Sequence, residues 1–522
     1  MLSLTRRTAT DPKEGTQVKT KTTKILDRRQ EEIEARLDPS WQPMTAHPVM
    51  APCNIQYEIS ARTTGINYGG LGLMVQHVKS LQLAEELDKN VHLLKFHRPY
   101  HESDHILNMT YNILTGGHCL EDLELRRQNI GYLNALNARR IPDPTTEGDF
   151  LRRFKQEDVI DFMDAINNVR RQVWLKQPTS KRRLATIDVD GTITETDGEC
   201  KEGADFSYNG KWGYCPLIVS LANTQEPLYI VNRPANRPSH DGAVKWMDKA
   251  VELTKSAGFS RVLLRGDTDF SLTVNFDRWT NDGVDFVFGM DAHRKVVTLA
   301  EELDEDKWKA LERSSKWPVK TAPRQRPANV KKVVVRSRGF KNLRLKAEHI
   351  AEVEYKPAKS EMTYRLIILR KNISVEKGDE HLFDDIVYFF YVTNIGKSKL
   401  STKGVVSESN ARCNQENLIE QLKNGVRATR MPAIEFNANW AYMIIGALAW
   451  NLKVWLGLTI PERFNSKRIV CMEFRSFCNE IMQLSAQIVK TGRRLVFRLL
   501  EFSRWARILI ECHQWLKQSI QI

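Results

Sequence analysis

The stretch Leu184-Ala185-Thr186-Ile187-Asp188-Val189-Asp190-Gly191-Thr192 reads as a short apolar strand that ends in acids. Alternate residues of a strand point to opposite faces, so Asp188 and Asp190 share one. The pattern returns in Arg261-Val262-Leu263-Leu264-Arg265 followed by Gly266-Asp267-Thr268-Asp269-Phe270. Between and around these, residues 214–221, 228–232 and 284–288 read as further strands. Residues 241–257 read as a helix capped by Ser239, and 272–279 as a second helix. The order is strand, strand, strand, helix, strand, helix, strand, which makes this part of the chain α/β.

Outward from that core the composition changes. Residues 1–45 are polar and basic and read as a mobile arm with some helix near Ile25 to Leu37. Residues 46–180 carry apolar residues at helical spacing, with Gly116-Gly117 as a stop and a helix start at Thr145 and Thr146. Such helices are compatible with helix-turn-helix DNA binding and equally with any small bundle. Residues 181–300 hold the first part of the core and 301–400 a basic, strand-rich insertion. Residues 401–460 read as the last part of the core, and 461–522 as a helical region with a basic face of Arg493, Arg494, Arg498, Arg504 and Arg507.

The net charge of +14 favours a polyanionic partner. From Lys307 to Lys346 stand fourteen Lys or Arg and one acid, Glu312, so this block carries nearly the whole excess. Trp308, Trp317 and Phe340 are interleaved with it, which suits phosphate contact with base stacking. A solvated connector would look similar. The eight cysteines contain no CxxC, so a zinc site is not expected and reduced thiols in the cytoplasm are. No secretory signal is expected in residues 1–40. The most apolar stretch, 440–455, is short for a membrane span and contains Lys453, so it reads as a core helix.

Acids at strand ends are costly unless solvated, paired or metal-bound, and hard oxygen ligands from separate elements suit Mg²⁺. Asp190 and Asp267 are the first two candidates. Asp188 is an alternative or additional ligand to Asp190, and simple turns are the bland explanation for both clusters. A third acid is Glu416. On a continuous α-helix Arg412, Glu416 and Lys423 would share a face, an acid flanked by two cations, as would an ordinary surface ladder of ion pairs.

Three further runs make the pattern specific: Phe206-Ser207-Tyr208-Asn209-Gly210-Lys211-Trp212-Gly213-Tyr214, Asn232-Arg233-Pro234-Ala235-Asn236-Arg237-Pro238, and the Arg265–Phe270 segment. With them the chain resembles the DDE transposases of bacterial insertion sequences, and more narrowly their thirteen-eighty family. The resemblance covers about Ile187 to Trp455. It implies a ribonuclease-H-like core and a Tyr-x2-Arg-x3-Glu-x6-Lys signature. Arg412, Glu416 and Lys423 fill its last three positions, and Ser409 departs from the Tyr. It further implies two Mg²⁺ (or Mn²⁺) ions held by Asp190, Asp267 and Glu416. Arg412, Lys423 and the insertion's Lys331, Lys332, Arg336 and Arg338 would hold DNA phosphates. The partners would be double-stranded terminal inverted repeats and target DNA, bound by a dimer in the bacterial cytoplasm at the nucleoid, with no membrane role.

One rival shares the strand-end acids. Asp188-Val189-Asp190-Gly191-Thr192 also resembles the first motif of haloacid-dehalogenase-type phosphatases, with Asp188 as nucleophile and Asp190 as acid. That scheme leaves 187 preceding residues, the basic block and the Arg412–Lys423 segment without a role. A transposase-derived DNA-binding protein without activity is the third alternative.

Overall fold

The computed structural model describes residues 20–38, 40, 55–60, 63–312, 342–377, 379–380, 385–461, 464–491, 494–500 and 502–520. The chain divides into two units. Pro178–Glu199 and Gly203–Ile419 form a sheet unit; Met1–Gln177, Cys200–Glu202 and Glu420–Ile522 form a helical unit. The helical unit therefore draws on both ends of the chain, and the expected core segment 401–460 is cut at residue 420.

In the sheet unit the elements are β1 (Leu184–Gly191), β2 (Leu217–Leu221), β3 (Glu226–Val231), α1 (Ala243–Ser256), β4 (Arg261–Gly266), α2 (Phe276–Asn281) and β5 (Val284–Met290). Their order in space is β3-β2-β1-β4-β5. β1 is parallel to β4 and β4 to β5, whereas β2 is antiparallel to both of its neighbours, β1 and β3. β1 is thus central, and Ala185, Ile187 and Val189 are all buried. Helices α1 and α2 supply the crossovers that parallel neighbours require.

The sheet does not stop at β5. After α3 (Arg294–Glu301) and β6 (Lys309–Ala310) come the long strands β7 (Asn342–Tyr355), β8 (Tyr364–Lys377) and β9 (Asp385–Thr393). β9 pairs antiparallel with β5, then β8 with β9, β7 with β8 and β6 with β7; with the two-residue strand Asp379–Glu380 on the end of β8 the sheet has ten strands. The strand-rich insertion is therefore an extension of the central sheet. Phe276, Phe286, Phe288 and Tyr364 pack their rings together where α2 covers it, with centroids 4.4–5.9 Å apart. Asp277 on α2 accepts from Ser360 Oγ, the Glu361 and Met362 N–H groups and Tyr364 Oη, tying the β7–β8 turn to that cluster. Trp308 is buried, with the Arg370 guanidinium 4.3 Å from its ring centre, so it is a packing residue. The chain ends its passage through the unit in α4 (Thr402–Asn410) and α5 (Cys413–Glu420).

The helical unit is built around Phe436–Thr459, whose most apolar window is 94% buried; this is the one helix among the described residues long and apolar enough to cross a membrane. It packs on Glu102–Leu114 and Gln156–Leu175. Lys453 is buried within it. Its ammonium donates to the carbonyls of Val470 (3.0 Å) and Met472 (2.5 Å) and sits over the Trp450 ring, while burial pushes its pKa down to about 7.

Four local expectations need correction. Pro216 splits the strand expected over 214–221 into Trp212–Tyr214 and β2. Helix α1 starts after Gly242, whose φ of 68° suits glycine, and Ser239 is not its cap. The helix at 144 is capped by Asp143, which accepts from the Thr146 N–H. The C-terminal region is not all helix: Ala486–Thr491 and Arg494–Leu499 pair antiparallel with each other, and Ala486–Thr491 also pairs with Thr64–Ile66. Leu495, Phe497 and Leu499 alternate there with exposed residues, a period of two, and pack with Ile488. Of the expected basic face, Arg493 lies outside the described residues, Arg494 and Arg498 fall on a strand, and Arg504 pairs with Glu480 and Arg507 with Asp27.

Asp188 and Arg265 stand directly opposite on β1 and β4, both nearly devoid of solvent contact. The guanidinium reaches both carboxylate oxygens, at 2.7 and 2.8 Å, and its third nitrogen reaches the Glu408 carbonyl at 3.1 Å. Removing one partner leaves a buried charge, which costs about 3–5 kcal/mol. Asp188→Ala is thus expected to lower the urea midpoint of the sheet unit strongly, and a double Asp188→Leu, Arg265→Met variant to recover most of the loss. Equal midpoints for the single variant and the wild type would show the pair to be dispensable.

Candidate active site

The carboxyl ends of adjacent parallel strands lie side by side, and there the loops can converge on a ligand. Asp190 stands near that end of β1 and Asp267 one residue beyond β4. The turn after β4 is tight: a Cβ on Gly266 would come within 2.6 Å of the Phe270 Cβ. Asp267 starts the short 3₁₀ turn Thr268–Phe270, one oxygen accepting from the Asp269 N–H at 3.0 Å. The other oxygen faces Arg412.

Arg412 lies in the turn between α4 and α5. One of its terminal nitrogens is 3.6 Å from an Asp190 oxygen and 3.8 Å from an Asp267 oxygen. Both distances exceed a good charge-assisted hydrogen bond. Its Nε is buried with no hydrogen-bond partner among the described residues. One guanidinium is therefore shared, loosely, by two acids.

Glu416 is exposed in the first turn of α5. Its neighbour Gln415 is 2% exposed and bonds to β2: its amide donates to the Ile218 carbonyl at 3.2 Å, and its oxygen accepts from Ser220 Oγ. Ile218 is the register partner of Asp190 and Ser220 that of Asp188. Gln415 thus fixes α5 to the strand beside the acids and sets where Glu416 stands. Its amide is ordinary in the sequence, and only the fold shows its partners.

The electrostatics follow from the crowding. Burial raises the Asp190 pKa to about 6; Arg412 opposes the rise, while Asp267 and then Glu416 add to it. Burial also raises Asp267, against the pull of Arg412 and with the push of Asp269. Among the described residues no three Asp, Glu, His or Cys side chains stand close enough to hold a metal ion together. Two partly buried acids with raised pKa values and half a guanidinium each are nevertheless short of positive charge. Their donor set is hard oxygen, which fits a divalent cation such as Mg²⁺ in the place that Arg412 now takes.

The structure brings together Asp190, Asp267 and Arg412, with Glu416 near enough to act on Asp190. Asp188 is not among them: its carboxylate is consumed by Arg265, so it is free neither as a ligand nor as the phosphatase nucleophile. The shared face of Arg412, Glu416 and Lys423 assumed one continuous α-helix. Arg412 precedes α5, and Lys423 falls in a π-helical turn, Gln421–Gly425, that belongs to the helical unit. Lys331, Lys332, Arg336 and Arg338, with Trp317, lie outside the described residues.

The strain at Asp190 is measurable. Its folded pKa stands above the unfolded value of 3.8, so the folded chain holds this proton more tightly. The stability it gives is full below about pH 4 and is lost as pH rises through 6. In chelator, Asp190→Asn is expected to match the wild type at pH 4. At pH 7–8 it should exceed it by on the order of 2–3 kcal/mol in urea unfolding. A difference that does not change with pH would remove the proposed strain.

Comparison with known proteins adds the family. Comparison with curated proteins finds no match. Among solved structures, the chain is similar to one described as "Cryo-EM structure of piggyBac transposase synaptic complex with hairpin DNA (SNHP)". The identity is 11% and the TM-score 0.34, over 79% of this chain and 81% of that one, a likeness too slight to carry an argument. The model of the family described as "Transposase DDE domain group 1" matches residues 56–521, nearly the whole length. The chain belongs to this family of DDE transposases.

Proposed function

We propose that the chain cuts and joins DNA strands at the ends of an insertion sequence of the thirteen-eighty kind, with Asp190, Asp267 and Glu416 as its catalytic carboxylates. The observation that carries this is the loosely shared Arg412 between two acids whose pKa values burial has raised. The β3-β2-β1-β4-β5 order, with acids at the ends of β1 and β4, supports a ribonuclease-H-like core.

The carboxylates would hold two Mg²⁺ ions, which Mn²⁺ could replace. Bound there, such ions supply Lewis-acid stabilisation of phosphate oxygens and activation of water or of a 3′ hydroxyl. Asp190 and Asp267 hold fixed positions because their strands are hydrogen-bonded neighbours and Arg265 locks β4 to β1. Gln415 positions Glu416. Arg412 has two uses: it offsets the acids in the free protein and, once displaced, it is placed to meet the substrate phosphate and the charge that develops on it. Double-stranded DNA ends and target DNA are the substrates, and pairing of two ends calls for a dimer on DNA. Lys423, Lys331, Lys332, Arg336 and Arg338 are assigned to phosphate contact.

Alanine at Asp190, Asp267 or Glu416 should lower Mg²⁺-dependent cleavage of a duplex bearing the element's end by about a thousandfold or more. Duplex binding in gel shift should change little. Full cleavage by Glu416→Ala would sink the assignment, and end binding without cleavage by the wild type would mark an inactive derivative. Arg412→Ala separates its two uses. Calorimetric titration without DNA should show tighter Mn²⁺ binding than wild type, since a competing cation is gone, while cleavage falls. Unchanged Mn²⁺ affinity would contradict the displacement.

A further inference from the structure

A second charged site lies in the helical unit, far along the chain from the carboxylates. A cavity of about 610 Å³ opens between residues 94–100, the helix Glu102–Leu114, the loop at Arg140 and the helix Pro144–Leu151. That volume falls in the range of roughly 300–1,000 Å³ typical of small-ligand sites.

Its rim is cationic. Lys95, Arg98, Arg140 and Arg153 line it, all exposed, and none of these side chains makes a salt bridge or hydrogen bond to a described residue. The acids that line it are engaged elsewhere: Asp143 caps the helix at 144, and Asp149 pairs with Arg152. Positive charge without an acid partner among the described residues is thus gathered around a hollow, the Arg140 guanidinium standing 5.8 Å from the Tyr100 ring centre.

The interior is aromatic and stiff. His105 stacks on Phe150 with centroids 4.3 Å apart, and Tyr100 meets His105 edge-on at 5.6 Å. The fully buried Glu147 holds His105 Nδ1 at 2.9 Å and the Asn108 amide at 2.5 Å. Glu102 accepts from the Leu93 and Leu94 N–H groups and so fastens the start of the 94–100 segment to its helix. Against this rigid wall stands Phe96, 82% exposed although large and apolar. An apolar ring left in solvent beside unpaired cations is a platform for a planar partner.

We propose that this cavity takes one unstacked nucleotide of a DNA strand, its flanking phosphates on Arg98, Arg140 and their neighbours and its base against Phe96 and Tyr100. A fully paired duplex would meet the rim and leave the depth and the aromatics unused. A base out of the stack uses all three. The proposal rests on DNA being the substrate, as argued above, but not on the carboxylates.

The test is fluorescence anisotropy on the full chain with two labelled duplexes of one sequence, fully paired or carrying one extrahelical thymine. Wild type is expected to prefer the second by about tenfold. Phe96→Ala should erase that preference and leave paired-duplex binding within about twofold. The Arg98→Ala, Arg140→Ala double variant should weaken both and reduce the salt slope by about two. Circular dichroism on each variant confirms folding; a double variant that does not fold is replaced by Arg98→Gln, Arg140→Gln, judged on the same readings. No wild-type preference, or Phe96→Ala that keeps it, overturns the base site. An unchanged salt slope overturns the phosphate rim. DNA cleavage that persists in either case leaves the transposase reading standing, whereas a wild type that neither binds nor cleaves DNA removes that reading itself.

Discussion

Two carboxylates at the ends of adjacent parallel strands repel each other and lose solvent at once, and the site depends on what offsets that cost. Here the offset is partial. Arg412 approaches both acids at 3.6–3.8 Å and bonds tightly to neither, and its Nε has no partner among the described residues. A tight bidentate pair would hold its cation against competition. A loose one yields to an ion with twice the charge and a shorter bond. Asp190 and Asp267 therefore differ from Asp188, which has the same chemistry and lies two residues from Asp190, yet is closed by Arg265 at 2.7 and 2.8 Å.

That contrast gives the sheet unit two kinds of acid with two jobs. The closed pair sits between β1 and β4 in the dry centre of the sheet and fixes their register. The open acids sit where the strands run out and inherit their positions from that register. Gln415 does for α5 what Arg265 does for β4: a buried polar group bonds to a neighbouring strand and so determines where the next acid, Glu416, stands. The rigidity comes from satisfied polar groups behind the acids, and the strain from the incompletely paired ones at the strand ends.

The strand order of the core was legible in the sequence because short apolar runs punctuated by Gly and Asp leave few alternatives. The strand-end positions of Asp190 and Asp267 were legible for the same reason, since both follow such runs. The choice between Asp188 and Asp190 was not, because both share a strand face and only the partner strand's Arg265 tells them apart. The helical phase of Arg412, Glu416 and Lys423 failed because a turn and a π-helical segment interrupt the helix, and neither leaves a mark in composition. The strands at 486–499 were hidden by their partner, since Thr64–Ile66 lies more than 400 residues earlier.

That distant pairing bears on how the chain is put together. The sheet unit is inserted, in sequence, within a helical unit whose N-terminal and C-terminal parts share one helix-packed core and one small sheet. Contacts so far apart are slow to form, because the loop between them must close first. An element like the sheet unit, whose strands pair mostly with near neighbours in the chain, can fold while its surroundings are still open. Its Asp188–Arg265 pair is internal, so the register that places Asp190 and Asp267 does not wait for the helical unit. The strand-end acids are thus set within the sheet unit by its own strands, and the cationic cavity is lined by residues of the helical unit alone.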